Sequence, residues 1–216
     1  MKAKLNVPTH LSEITLKQYQ EFLLAQKENP DEHYLERKAV EIFCNIQKEK
    51  IDSIKASSVR EIANKISVLF SEEQKLVRFF NLGKTEFGFM PDLDEMSFGE
   101  YIDLDTYLSD WENMHFAMNV LYRKISHKSA GRYDLVSYDT AARDRAVEMP
   151  MDAVLGSIFF LFSLRKDLLK TTLNSLAKEV ETQQVQLPHL VKNGGGIIRS
   201  MDFLKETLNE LTQSPK

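Results

Sequence analysis

KLVRFFNLGKTEFGFMP, Lys75–Pro91, decides the fold class of this 216-residue chain. Upstream of it, apolar residues recur at three- and four-residue spacing. Here two aromatic-rich runs, Leu76–Leu82 and Thr85–Met90, flank Gly83-Lys84. Gly supplies the positive φ that a tight turn needs, and Phe and Val suit a pleated surface, so the stretch predicts a β-hairpin near residues 76–90. A helix opening at Ser71, with Gln74 at capping-box distance, is the competing reading. With the hairpin, the expected fold is mainly α, a helical bundle with one small β-hairpin.

Toward the N-terminus three helices are expected. Thr15 with Gln18 forms a capping box, and Leu16, Tyr19, Phe22 and Leu23 then share a face. Asn29-Pro30-Asp31 stops that helix and starts the next, because Pro disfavours helical geometry in the residue before it. Leu35, Ala39, Ile42, Phe43 and Ile46 continue the spacing. Ser58 with Glu61 signals a third start, followed by Val59, Ile62, Ala63, Ile66, Leu69 and Phe70.

Toward the C-terminus the stretch runs into PDLDEMSFGEYIDLDTYLSDWENMHFAMNVLYR, Pro91–Arg123, which has eight acids and no Lys or Arg before Arg123. Ser97 with Glu100 and Ser109 with Glu112 both have capping-box spacing. Tyr101, Leu104, Tyr107 and Leu108, then Trp111, Met114, His115, Met118, Leu121 and Tyr122, predict two helices, or one with a bend near Asp110, ending by Lys124. Ser126–Tyr138 is polar and contains Gly, and is expected as an exposed loop. Pro150 opens a long helix to about Glu181, since its missing N–H costs nothing at a helix start. Trp111, Met114, Met118 and Leu121 are expected to pack on its Leu155, Phe159 and Phe162. Residues 1–190 are expected as one mainly helical domain. Residues 191–216 are expected as a hinge, Gly194–Gly196, plus an amphipathic helix.

Composition is that of an ordinary globular protein, with 43% hydrophobic and 28% charged residues. The net charge of −4 gives no global pull toward nucleic acid or an anionic membrane. Ala153–Leu164 is strongly apolar, but it is bracketed by Asp152 and Arg165-Lys166-Asp167 and falls short of the roughly 20 residues a membrane span needs. The opening MKAKLNVPTHL has no signal-peptide core. The lone Cys44, in EIFCNI, reads as a buried thiol, not a nucleophile.

No catalytic constellation is visible. Asp92-Leu-Asp94 and Asp103-Leu-Asp105 suggest a calcium loop, but the required oxygen, Gly and Glu at its fifth, sixth and twelfth positions are missing in both frames. The five His residues are scattered without ligand spacing. Gly194–Gly196 lacks the Lys-Ser/Thr of a phosphate loop. Arg78, Phe79, Phe80, Lys84, Phe87 and Phe89 mix bases and aromatics as single-strand platforms do, but the adjacent acids would repel a phosphate backbone. No cofactor, metal, membrane or nucleic-acid partner is therefore expected. Two contact surfaces are: the acid-rich face with Asp92, Asp94, Glu95, Glu100, Asp103 and Asp105, and the last helix with Ile198, Phe203 and Leu208.

Four segments together carry a resemblance: TLKQYQEFL at Thr15–Leu23, FGFMPDLDEMSFGEYIDLDTYL at Phe87–Leu108, MHFAMNVLYR at Met114–Arg123 and MDAVLGSIFFLFSL at Met151–Leu164. They resemble a family of small morphogenesis proteins encoded by tailed bacteriophages. The family often has Pro after the Tyr-Arg pair, where this chain has Lys124. The resemblance implies a non-enzymatic, chaperone-like assembly factor for tail or baseplate, or else a structural virion component such as a portal-proximal ring, baseplate or packaged protein. It implies other phage morphogenesis or virion proteins as partners, or self-association, in the host cytoplasm or the virion. A small carboxylate-dependent hydrolase using the acidic run is the alternative from another class.

Overall fold

A computed structural model describes residues 5–129 and 131–186. The chain divides into two compact units, Met1–Phe160 and Leu161–Lys216. In the first, α1 (Leu16–Glu28) starts at Thr15 with the capping box complete, each partner bonding the other's backbone N–H. Asp31 caps α2 (Glu32–Phe43) by accepting from Tyr34 N at 2.9 Å. A single turn, α3 (Lys48–Ile51), precedes α4 (Ala56–Ser71). The Ser58/Glu61 box does not form. The helix begins three residues earlier, after Lys55, without a side-chain cap. Tyr19 of α1 stacks on Phe70 of α4 at 5.3 Å, and Phe43 of α2 lies 5.7 Å from the same ring.

The hairpin is present as β1 (Phe79–Leu82) and β2 (Thr85–Phe89). Gly83 has φ +59°, as a two-residue hairpin turn opening on Gly requires. It is not alone. β3 (Tyr122–Ser129) and β4 (Arg132–Leu135) complete a four-stranded antiparallel sheet in the order β1-β2-β3-β4. The fold is therefore an α+β mixture, and the expectation of a helical bundle with one hairpin is wrong. The stretch read as the end of a helix and an exposed loop is strand. Its polar residues lie on an exposed ribbon, and only Tyr122, Ile125, Tyr133 and Leu135 carry the apolar alternation. Gly88 of β2 admits the Tyr133 ring over the sheet, since a Cβ there would lie 2.9 Å from Tyr133 Cε2.

Between β2 and β3 come α5 (Phe98–Tyr107) and α6 (Met114–Leu121). The Ser109/Glu112 box does not form either, and α6 begins after Asn113 without a side-chain cap. After β4, a 3₁₀ stretch (Thr140–Glu148) leads to α7 (Met151–Gln186), which starts beside Pro150 as expected. Leu16 N donates to Met149 O and Met151 N to Ile14 O, both at 2.8 Å, so the entry to α1 is tied to the entry to α7. Around that junction sits the core: Ile14, Leu16, Met114, Met118, Leu121, Met151 and Val154 are all fully buried.

The expected α6–α7 contact is made by Met118 as expected, but on α7 by a residue other than Leu155, Phe159 or Phe162. Ser157 Oγ lies 3.5 Å from Met118 Sδ, and Val154 and Ile158 are buried, whereas Phe159 is 46% exposed. Trp111 instead meets Tyr19 edge-on at 5.0 Å. In the second unit α7 continues from Leu161, with Phe162, Leu164, Leu168, Leu169 and Leu176 exposed.

Candidate docking surface

The acid-rich stretch folds so that its charges fall into two groups. Ser97 caps α5: its Oγ accepts from Glu100 N at 3.3 Å, and Glu100 Oε2 accepts from Ser97 N at 2.7 Å. The other carboxylate oxygen, Oε1, is 2.9 Å from Arg123 Nη1, with both side chains almost completely buried. One turn on, Asp103 accepts the hydroxyl proton of Tyr138. A further turn on, Tyr107 packs edge-on against Phe116 of α6 at 4.9 Å. Positions 100, 103, 104 and 107 therefore make the inner face of α5, at helical spacing.

Positions 98, 101, 102 and 105 have the same spacing, offset by two residues, and make the outer face. Phe98 is 78% exposed, Tyr101 55% and Ile102 46%. Single exposed apolar residues are commonplace; three adjacent ones on one helix face make this the candidate docking surface. Asp105 extends the stripe, and Asp92, Asp94 and Glu95 lie exposed just before the helix. Asp92 Oδ1 accepts from Asp94 N at 2.9 Å, which turns the backbone there. Asp94, Glu95 and Asp105 make no ion pair among the described residues.

Of the residues singled out in the sequence, Asp92, Asp94, Glu95 and Asp105 share this exposed surface. Glu100 is buried in its ion pair, and Asp103 is partly buried against Tyr138. Ile198, Phe203 and Leu208 lie outside the described residues. Sequence reasoning placed Tyr101 inside and did not pick out Phe98 or Ile102. The signal was present in the second i, i+3, i+4, i+7 series, but two apolar stripes on one short helix do not say which faces inward.

Burial pushes the Cys44 thiol up to about 11, so it is uncharged at neutral pH. His33 contacts Glu36 and Arg60 on the surface, and His115 packs on Phe116 at 4.2 Å. Among the described residues no group of three or more His, Cys, Asp or Glu could hold a metal ion. A mostly apolar groove of about 470 Å³ opens between α1, α2 and α4, lined by Tyr19, Phe22, Leu35, Phe43 and Phe70. Glu32, Glu36, Asn64 and Ser67 also line it. Among the described residues no helix is long and apolar enough to cross a membrane.

The structure also joins two basic neighbourhoods that are separate in sequence. Lys84, Lys124, His127, Lys128 and Arg132 belong to one sheet and its turns, and Arg78 directly precedes β1. Lys128 Nζ lies 4.2 Å over the Phe79 ring and 2.9 Å from Glu86 Oε1, linking the second hairpin to the first. Comparison with known protein families, curated proteins and solved structures returns no match to this chain.

Proposed function

We propose that the protein is a non-enzymatic assembly factor of a tailed bacteriophage, chaperone-like in tail or baseplate morphogenesis, which holds a partner on the outer face of α5. One observation carries the docking part of this reading. Phe98, Tyr101 and Ile102 stand exposed together beside four unburied acids, although the same helix has a well-packed inner face. Such a face suits a segment with apolar anchors and flanking Lys or Arg, read at helical spacing. The phage context rests on the sequence resemblance alone.

The test is to delete the gene from the phage genome that carries it and to count particles. Proteins of purified particles are then compared with those of the infected-cell lysate by mass spectrometry. The reading expects tail-defective particles on deletion, and the protein in lysate but not in finished wild-type particles. Fixed stoichiometry in finished particles would replace the chaperone with a structural virion component. Normal particle numbers after deletion would overturn both.

A further inference from the structure

Beyond Leu161, α7 runs on to Gln186 with an apolar stripe in solvent. Phe162, Leu169 and Leu176 are exposed at seven-residue spacing, and Leu173 is half-buried. Lys166, also exposed, completes a strict alternation of four- and three-residue steps: 162, 166, 169, 173, 176. The sequence carries the same steps on to Val180 and Gln183. A helix that lays a broad face on a globular core follows the 3.6-residue period. A strict seven-residue repeat held over about three heptads is the seam of a coiled coil. Propensity alone leaves an isolated helix marginal in water, and covering its apolar face is what stabilises it. The spacing therefore calls for another helix of the same repeat, packed knobs into holes.

We infer that the occupant is the same seam of a second copy of this chain, running antiparallel. Charge sets the direction. In a parallel pair Lys166 would meet Lys166 of the second copy, and Arg165 would meet its Lys170 across the seam, so like charges would face each other. An antiparallel pair centred between Leu173 and Leu176 removes every one of those clashes. Leu173 then meets Leu176 of the second copy, position 169 meets position 180, and position 166 meets position 183. Leu is matched with Val and Lys with Gln, so apolar layers meet apolar layers and the two polar positions of the seam coincide. Arg165 and Lys170 fall opposite positions 186 and 177, a Gln and an Ala. One Lys within such a seam lowers its stability and fixes its register. The stripe is complementary to itself, which is what a two-fold contact requires, and the contact closes at two copies. Leu164 and Leu168 are exposed as well but lie off the seam, and they take no part in it. The pairing does not rest on the reading of α5.

Sedimentation velocity on the full-length protein tests the inference, with far-UV circular dichroism checking that each variant folds. The wild type should pass from monomer to dimer with rising concentration and go no further. Leu169→Asp with Leu176→Asp places charges in the seam and should weaken the dimer about a hundredfold or more. Leu168→Asp, on an exposed side chain off the seam, should dimerise as the wild type does. Direction is read by disulfide cross-linking. Lys166→Cys with Gln183→Cys should give a covalent dimer under mild oxidation, and Lys166→Cys alone should not. The two positions are about 25 Å apart along one helix, too far to bridge within a chain. A dimer that survives the Leu169→Asp/Leu176→Asp change, or one that Leu168→Asp abolishes equally, would overturn the inference. So would rapid cross-linking of Lys166→Cys alone, the mark of a parallel pair. A monomeric wild type would also overturn it. If Leu169→Asp/Leu176→Asp then lowered the melting temperature of that monomer, the seam would belong to residues 187–216 of the same chain.

Discussion

α5 and α6 are neighbours in one acid-rich stretch, similar in length and both rich in large apolar side chains, yet they spend those side chains differently. Every residue of α6 from Ala117 to Leu121 is buried, and Met114 with them. In α5 the only buried residue is an acid, Glu100, while Phe98, Tyr101 and Ile102 face solvent. The lesson is that α6 belongs to the fold, whereas the outer half of α5 is surplus to it. On the proposed reading, that surplus apolar face beside uncompensated charge is where a partner docks.

The comparison can be broken at its largest contrast first. Met118→Ala removes a fully buried side chain beside Ser157 and should cost about 2–5 kcal/mol, read by urea denaturation. A loss below about 1 kcal/mol would mean that α6 is not the packed element. On α5, Glu100→Ala strips a buried partner from Arg123 and opens the capping box. A cost of about 3 kcal/mol is expected, mostly from the stranded guanidinium. Arg123→Met in the same background should recover much of it, and a double variant as unstable as the single one would contradict that assignment.

Trp111→Ala sharpens the picture at the boundary between the two helices. The ring is only half-buried and meets Tyr19 edge-on, so about 1–2 kcal/mol is expected, short of the 3–5 typical of a core aromatic. Phe98→Ser with Ile102→Ser should change stability by no more than about 0.5 kcal/mol, as surface substitutions do. A loss of several kcal/mol would show that the outer face packs on something within the chain. Smallest of all should be the reaction of Cys44 with a thiol reagent. At pH 8 it stays slow in the folded protein, because a thiol pushed up to about 11 holds little thiolate, and it should rise sharply only when the protein is unfolded in urea. Fast labelling of the folded protein would contradict its burial.

Local chemistry made part of this legible before any coordinates. The Thr15/Gln18 and Ser97/Glu100 boxes, the Asn29-Pro30 break, the Gly83 turn and the Pro150 start each name their own geometry, and each is where the residues said. Spacing alone did not suffice at Ser58/Glu61 or Ser109/Glu112, where tertiary packing sets the helix start instead. β3 escaped because the apolar stripe from Met114 runs at helical period straight through Tyr122, and no Gly or Pro marks the switch at Leu121. The turn at Gly131 followed by the alternation of Tyr133 and Leu135 was the available clue. The docking face was half-legible. Its acids were found, but its apolar residues could not be assigned to a side without knowing that Arg123 draws Glu100, and with it the opposite face of α5, inward.

The central claim is that the outer face of α5 serves assembly and not the fold. It is tested most directly by supplying the Phe98→Ser/Ile102→Ser variant in place of the native gene and measuring particle yield. Loss of particles to the level of the gene deletion, with an unchanged melting temperature, is the predicted result. Wild-type yield from a protein carrying both substitutions would contradict it.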